Sequence, residues 1–351
     1  MKALVTGGSG YFGSLLIDKL IDNGWQVGSL DINKVSDLPV NVSFHEQDIR
    51  DAKGLKECLI GYDVVFHNIA QVPLAKNRKL FRNVNVEGTH NLCEAAIEIG
   101  INKIVYTSSS AVFGVPDNNP VTENTIPKPK EAYGRAKLEG EKISTKYADQ
   151  NLNVTIIRPR TILGHGRLGI FQILFEWISK GINIPVLNGG ENIYQFVHAS
   201  DLAYATISAS GLSKSGTYNI GADIYESIRE SLEALCEHAG TGSRVYSLPM
   251  KPIQILMNIT SFLGLSPLGP YHSLMYGRSM YFDISKAKKE LGFNPRYSNI
   301  DMLVESYDWY IENRDIILRG KKNMSHHRSR LDEGVLKYFN GFKKMVDNLY
   351  L

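Results

Sequence analysis

Short apolar runs alternate with amphipathic segments along the first half of the chain. Such runs bounded by polar or glycine positions are typical of buried strands, and apolar positions at helical spacing are typical of helices. The first helical segment shows the helical pattern, because Leu16 and Leu20, like Ile17 and Ile21, recur on one stripe. The predicted strands are Lys2–Thr6, Gln26–Asp31, Val42–His45, Asp63–His67, Lys103–Ser108 and Val154–Arg158. The predicted helices between them are Gly13–Asn23, Ala52–Leu59, Val86–Gly100 and Ala132–Gln150. Crossovers of helical length predict an α/β fold with a doubly wound parallel sheet.

The second half of the chain, after Pro159, alternates less regularly. Helical patterns occur at Phe171–Ser179, Ile224–Ala239, Lys251–Leu263 and Ser285–Leu291. Two strand-like segments, Ile193–Val197 and Thr217–Ile220, are expected to return to the first sheet. The stretch from Arg319 to Arg330 is basic and is interpreted as a solvated linker to a final helix.

Composition narrows the possible classes of protein. The 351 residues are 43% hydrophobic and 21% charged, with a net charge of +3, which gives no reason to expect a nucleic-acid partner. Three widely spaced cysteines argue against a disulfide scaffold or a zinc ribbon, so no metal site is predicted. The N-terminus enters a strand pattern directly, and the apolar run from Ile253 to Leu265 is interrupted by polar residues. A cytoplasmic protein is therefore expected.

A glycine-rich loop joins the first predicted strand to the first predicted helix. Gly7, Gly10 and Gly13 have the spacing G-x-x-G-x-x-G, which suits a tight turn that brings backbone close to a pyrophosphate. The helix N-terminus then offers free N–H groups and a positive dipole. Asp31 ends the second strand, where a carboxylate accepts hydrogen bonds from a ribose diol and repels a 2′-phosphate. Together these features predict NAD rather than NADP, although Lys34 lies nearby.

Three residues form a candidate proton-transfer group. Tyr133 and Lys137 lie four residues apart on one helix face, and Ser109 follows a predicted strand. The carboxyl ends of parallel strands meet in the ligand crevice, so we expect the serine to lie near the tyrosine. A phenol needs nearby cations to act as a base at neutral pH, and Lys137 with a nicotinamide ring is expected to lower its pKa. This combination is typical of hydride chemistry at a carbinol carbon.

The chain resembles the extended short-chain dehydrogenase/reductase superfamily, specifically the NAD-dependent epimerase/dehydratase family. The resemblance covers about residues 1–315. It is carried by Gly7–Gly13, Asp31, Asp48–Arg50, Phe66–Ala70, Asn85–Thr89, Thr107–Gly114, Tyr133–Lys137, Arg158–Pro159, Phe196–His198, Asp201–Ala203, Tyr218–Gly221 and Asp283–Ala287.

The resemblance implies a Rossmann-type domain over residues 1–160, with returning segments near 193–221. A smaller, mainly helical substrate domain is expected over 161–192 and 222–315, followed by a basic tail and helix over 316–351. It implies homodimerisation through the helices Val86–Gly100 and Ala132–Gln150. It also implies that His67 and His198 are structural. The NAD-binding residues implied by motif and resemblance are Gly7, Gly10, Tyr11, Phe12, Gly13, Asp31, Ile32, Asp48, Ile49, Asn68, Ile69, Ala70, Gln71, Asn85, Thr107, Ser108, Tyr133, Lys137 and Pro159.

Two positions depart from the pattern of the family's nucleotide-sugar members. Thr161 stands where asparagine is usual, and Tyr194 where an arginine usually contacts a phosphate. Arg160 and Arg278 are the candidate replacements for phosphate recognition. The stretch from Leu248 to Leu274 is apolar and proline-punctuated, similar to the family's 3β-hydroxysteroid dehydrogenase branch. It is interpreted as a helical pair, with a lid for a lipid-like substrate or a membrane-surface contact as the alternative.

The leading hypothesis is an NAD-dependent epimerase, or a related oxidoreductase, that acts on a nucleotide-sugar hydroxyl through a keto intermediate. Dehydration is disfavoured because no carboxylate follows Ser109 directly. The first alternative is a dehydrogenase of a hydrophobic, sterol-like alcohol. The second is an NAD-sensing binding protein without catalysis, which the intact Ser109, Tyr133 and Lys137 disfavour.

Overall fold

The computed structural model describes residues 1–71, 78–263 and 270–319. The strands are β1 (Lys2–Thr6), β2 (Gln26–Asp31), β3 (Ser43–Glu46), β4 (Val64–His67), β5 (Lys103–Thr107), β6 (Asn153–Pro159), β7 (Thr161–Leu163), β8 (Ile184–Leu187), β9 (Phe196–His198), β10 (Gly216–Ile220) and β11 (Val245–Leu248). The helices are α1 (Tyr11–Asp22), α2 (Ala52–Leu59), α3 (Arg78–Arg82), α4 (Gly88–Ile99), α5 (Ala132–Ala148), α6 (Ile170–Ser179), α7 (Ala199–Ser210), α8 (Ile228–Ala239), α9 (Met250–Phe262), α10 (Pro270–Met275), α11 (Ser285–Leu291) and α12 (Asn299–Arg319).

A seven-stranded parallel sheet organises the first half of the chain, in the order β10-β6-β5-β4-β1-β2-β3. Alternate residues of its strands belong to two apolar clusters. Ala3 and Val5 of β1 join one cluster with α1 and α7, whereas Leu4 joins the other with α2, α4 and α5. Both faces are therefore covered by helices, which confirms the doubly wound Rossmann-type fold. The strand order reverses beside β1, which places the ligand crevice at the carboxyl ends of β1 and β4.

One predicted strand lies in a different place. The segment Ile193–Val197 does not return to the large sheet. Phe196–His198 instead pairs with Thr161–Leu163 as a separate two-stranded sheet, and Ile193 and Tyr194 make isolated bridges to Ser227 and Met280. Periodicity identified an extended segment here but carries no information about its partner. Thr217–Ile220 does join the large sheet, at its edge beside β6.

The region after β6 builds a second apolar core. Strands β8 and β11 pair in parallel, and α6, α8 and α12 pack around a third cluster of buried residues. Helix α8 begins at Ile228 rather than at the predicted Ile224, because Ser227 and Glu230 form a reciprocal capping box. Among the described residues, no helix combines the length and apolar character of a membrane span. The predicted tail lies outside the described residues from position 320 onward.

Candidate active site

The glycine loop forms a close turn between β1 and α1. Gly7 has a φ of +73°, and a Cβ added to it would lie 2.9 Å from the backbone nitrogen of Ile69. A Cβ on Gly13 would collide with the carbonyl oxygen of Gly7, so side chains are excluded from both sides of the turn. The N-terminus of α1 at Gly10 has no side-chain cap within the described structure. Because no side chain caps them, the backbone N–H groups of this first turn are available to bind phosphate oxygens.

Asp31, the predicted ribose-binding carboxylate, is the last residue of β2. It accepts hydrogen bonds from the backbone N–H groups of Ser9, at 3.2 Å, and Ile32, at 2.8 Å. Burial nevertheless raises the pKa of this carboxyl group above its ordinary value. The side chain of Ile32 itself is 55% exposed. The carboxylate is thus fixed beside the phosphate-binding turn, as binding of a ribose diol requires.

Asp48 and Ile49, two of the predicted NAD-binding residues, differ in their surroundings. Asp48 is ion-paired with Arg50 and remains partly exposed. Ile49, in contrast, is 2% exposed and packs against Gly88 at the start of α4. It belongs to the apolar core, and its predicted contact with the cofactor stays a prediction.

The middle of the cleft is held by polar side chains at the ends of β4 and β5. Thr107 donates to Asn68 Oδ1 at 2.6 Å, and Lys137 Nζ donates to the carbonyl oxygen of Thr107 at 2.7 Å. Asn85 bonds both the N–H and the carbonyl group of Gln71, at 2.7 and 3.1 Å. Among the described residues, the buried Nδ2 of Asn68 has no hydrogen-bond partner. This orphaned donor and the open glycine turn fit a dinucleotide.

The start of α5 brings Tyr133 and Ser109 together. Glu131 caps the helix by accepting hydrogen bonds from the N–H groups of Tyr133 and Gly134. A Cβ on Gly134 would collide with the carbonyl oxygen of Ala111, so the helix lies directly against the loop that carries Ser109. The Ser109 side chain lies close enough to Tyr133 to lower the pKa of its phenol. The structure thus brings the two predicted side chains to the same part of the site.

The electrostatics of the pair differ from those predicted. Burial raises the pKa of Tyr133 to about 12, and Lys137 is not among the groups that lower it. Lys137 is only 2% exposed, and burial lowers the pKa of its ammonium group to about 7. The prediction that Lys137 depresses the tyrosine pKa is thus not met by the protein's own groups. The lysine is held in place by Thr107 instead.

Arg167 is a cation at the site that sequence reasoning missed. Its charge lowers the pKa of Tyr133, and its guanidinium lies 5.4 Å from the ring centroid of Tyr11 in the glycine turn. Its Nε donates to the carbonyl oxygen of Ile162 at 3.2 Å. In the sequence, Arg167 is only an arginine in the glycine-rich segment after β7. No spacing rule relates that segment to α5.

Two of the predicted cofactor residues, Ser108 and Pro159, lie at the end of the sheet, and Ser108 has a structural partner. Ser108 donates to Glu141, which is also ion-paired with Arg158 at 2.6 Å. Pro159 is the last residue of β6.

The two histidines singled out in the sequence, His67 and His198, have structural contacts. His67 is hydrogen-bonded through both ring nitrogens, and His198 caps α7.

Three of the four predicted substrate residues are brought together. Arg160 is 1% exposed, donates to Ser110 Oγ at 2.9 Å and stacks 4.6 Å from the ring centroid of Tyr194. Tyr194 in turn shares a hydrogen bond of 2.9 Å with the hydroxyl of Thr161. Two of the guanidinium nitrogens of Arg160, Nε and Nη2, are buried without a hydrogen-bond partner among the described residues, and its role as a phosphate ligand stays a prediction. Arg278 follows Gly277 in the sequence, and its backbone carbonyl group accepts a hydrogen bond from Asn192.

Thr161 and Tyr194 open onto a cavity of about 290 Å³. The side chains around it are predominantly aliphatic and aromatic, and none of the described lining residues is an aspartate, glutamate, lysine or arginine. The lining includes Phe171, Leu174, Trp177, Ile184, Val186, Leu232, Tyr246, Ile253, Leu256 and Met257.

Comparison with known proteins identifies the class. The model of the NAD dependent epimerase/dehydratase family matches residues 3–221, and the chain belongs to this family. It is an NAD-dependent enzyme of the oxidoreductase type, as the sequence predicted.

Three particular proteins show the range of similarity. An uncharacterized protein of Sinorhizobium fredii is 53% identical over 95% of this chain and 84% of its own. A 3 beta-hydroxysteroid dehydrogenase/Delta 5-->4-isomerase of Mycobacterium tuberculosis is 28% identical over 88% of this chain and 90% of its own. The crystal structure of UDP-glucose 4-epimerase with UDP-glucose from Thermotoga maritima has a TM-score of 0.75 at 25% identity, and the match covers 90% of this chain and all of that one.

Proposed function

We propose that this protein interconverts a secondary alcohol and a ketone with NAD, and that the body of its substrate is apolar. Bound NAD supplies the hydride donor or acceptor. The observation that carries the substrate class is the cavity of about 290 Å³ beside Thr161 and Tyr194, in whose described lining no formal charge is found. Burying an apolar body there is favourable, whereas a diphosphate needs cationic partners.

The chain's own residues divide the chemistry between them. Ser109, whose side chain lowers the pKa of Tyr133, holds the substrate oxygen beside the phenol. The amino group of Lys137 is fixed by the hydrogen bond that it donates to the carbonyl oxygen of Thr107. Since the pKa of Tyr133 is about 12, the phenol is protonated at neutral pH. This form donates a proton to a carbonyl oxygen, so reduction is the direction for which Tyr133 already carries its required proton.

A second candidate is the epimerisation of a nucleotide sugar through a keto intermediate. It is supported by the similarity to UDP-glucose 4-epimerase and by Arg278, whose Nε is buried without a partner among the described residues. Arg278 adjoins Gly277, and Asn192, which donates to the Arg278 carbonyl group, also lines the cavity. Arg160, whose Nε and Nη2 are also buried without a partner among the described residues, is a second cation that favours a phosphate ligand. The homodimer implied by the family pattern is proposed for either function.

Ligand binding separates the two candidates. With NAD present, we expect thermal stabilisation by an alicyclic secondary alcohol and none by UDP, dTDP, GDP or CDP. A ligand at 100 times its Kd stabilises the folded state by about 2.7 kcal/mol, which a melting curve resolves. Leu174→Trp, which narrows the cavity, should abolish the stabilisation by the alcohol but preserve that by NAD. Ile316→Trp, at a position 73% exposed on α12, is the control. Stabilisation by a nucleotide and not by the alcohol would transfer the proposal to nucleotide sugars.

A further inference from the structure

Helix α9 is apolar on two sides. Its inner side, formed by Ile253, Leu256, Met257 and Thr260, lines the cavity. Its outer side is open to solvent: Ile255 is 61% exposed, Ile259 51%, and Leu263, directly after the helix, 59%. Leu256 belongs to both sides, since it lines the cavity and is 40% exposed. A single helix thus separates the apolar cavity from an apolar outer surface.

This helix packs differently from its neighbours. Among the side chains of α9 that the structure describes, none is buried, whereas α6 and α8 each bury several. Large apolar side chains that stand alone on a surface need no explanation, but a contiguous exposed patch marks an interaction site. Ile255, Ile259 and Leu263 follow one another at four-residue spacing and form such a patch.

The charge of this segment points to the chemistry of the partner. The sequence between Glu237 and Asp283 contains no acidic residue, but it contains Arg244, Lys251 and Arg278. Lys251, in the first turn of α9, is exposed. An apolar helical face accompanied by cations and free of acidic residues is complementary to the headgroups of an anionic bilayer.

We propose that the outer face of α9, defined by Ile255, Ile259 and Leu263, lies on an anionic lipid surface from which the apolar substrate enters the cavity beneath. The inference rests on the proposed function for the substrate, but the surface itself is defined by exposure and charge alone. A bilayer is the occupant that both observations favour, since the patch and the cavity share Leu256. A substrate that leaves the bilayer would then remain in apolar surroundings.

Co-sedimentation of the full chain with phospholipid vesicles tests this inference. We expect binding to vesicles that contain phosphatidylglycerol and weaker binding to phosphatidylcholine alone. The double variant Ile255→Ser/Ile259→Ser should lower the bound-to-free ratio about tenfold or more, because it removes two large apolar side chains from the contact. The control variant Ile60→Ser/Ile126→Ser alters two isoleucines that are 64% and 73% exposed elsewhere, and should bind as the unmodified protein does.

Three outcomes would overturn the inference: no sedimentation with anionic vesicles, an equal loss in the control variant, or dissociation of an oligomer by the double variant with vesicle binding unchanged. The last would assign the patch to a second copy of the chain. Tyr133→Phe separates this inference from the proposed function, because it should abolish turnover and leave vesicle binding intact. Turnover of a dissolved apolar ketone without vesicle binding would refute the lipid contact of α9 but not the proposed function. Vesicle binding without turnover of any ketone would refute the proposed function but not the lipid contact.

Discussion

A buried ion pair beside the catalytic loop provides the sharpest test of the packing. Glu141 on α5 and Arg158 on β6 have side chains that are 5% and 8% exposed. Arg158 donates to both carboxylate oxygens, at 2.9 and 2.6 Å, and Ser108 donates to the same carboxylate. The guanidinium also lies 5.0 Å from the ring centroid of Phe113. The pair therefore links the helix of Tyr133 to the loop of Ser109.

Removing one partner leaves the other charge buried. Glu141→Ala should lower the free energy of unfolding by about 3–5 kcal/mol, because the buried guanidinium and the Ser108 hydroxyl lose their acceptor. That is a large part of the ~5–15 kcal/mol by which a protein is ordinarily stable. The double variant Glu141→Met/Arg158→Met removes both charges and should lose much less, since apolar side chains of similar length replace an ion pair at little cost.

Urea unfolding followed by circular dichroism at neutral pH measures both quantities, and Glu141→Met and Arg158→Met are the single variants that complete the double-mutant cycle. The single variants should each be less stable than the double variant. A loss below about 1 kcal/mol for Glu141→Ala would refute the reasoning, because it would mean that water reaches the guanidinium. A double variant as unstable as the sum of the singles would show that the two side chains do not interact.

Three further predictions concern the site and its support. Gly134→Ala should lower both activity and stability, the latter by about 1–3 kcal/mol, because its Cβ collides with the Ala111 carbonyl oxygen, whereas Gly211→Ala makes only an ordinary contact. For oxidation of an alcohol, kcat/KM should rise with pH above neutrality, since the pKa of Tyr133 is about 12 and its deprotonated form takes the proton; a flat profile would exclude Tyr133 as the base. Burial lowers the pKa of His67 from 6.5 to about 3, so its contribution to stability is present above about pH 6.5 and is lost as the pH falls towards 3. His67→Gln should flatten urea midpoints over that window, and an unchanged slope would contradict the assignment.

The sequence predicted the large sheet well because its signals are local. Helices separate successive strands from β1 to β6 except between β2 and β3, and the glycine turn constrains its own backbone. The position of Ser109 beside Tyr133 followed from a rule of topology, since the carboxyl ends of parallel strands share one edge. These predictions needed only the order of elements along the chain.

The second half was harder because its contacts are long-range. Thr161–Leu163 pairs with Phe196–His198 across α6 and β8, and no periodic pattern specifies that partner. The burial of Arg160 behind Tyr194 depends on Phe282 as well, more than a hundred residues away in the sequence. The two aromatic rings that pack against this guanidinium could therefore not be predicted from the sequence.

The proposal of an apolar substrate depends on the assembled structure more than on the sequence. The cavity combines residues of α6, β8, α8, β11 and α9, and among these segments the sequence had marked only the α9 region, as an alternative lid for a lipid-like substrate. The sequence pattern favoured a nucleotide sugar, with Thr161 and Tyr194 as departures. The structure joins these two residues in one hydrogen bond in the lining of the cavity.

The most direct test of the account follows the absorbance of NADH during incubation of the unmodified protein and Tyr133→Phe with an alicyclic ketone. The account predicts net NADH consumption by the unmodified protein. Loss of the proton donor should slow the variant by about 10²–10⁴-fold, with NADH affinity unchanged. Equal rates in the two proteins would contradict the role of Tyr133. Absence of consumption with the ketone, together with conversion of a UDP-sugar at constant NADH, would contradict the apolar substrate.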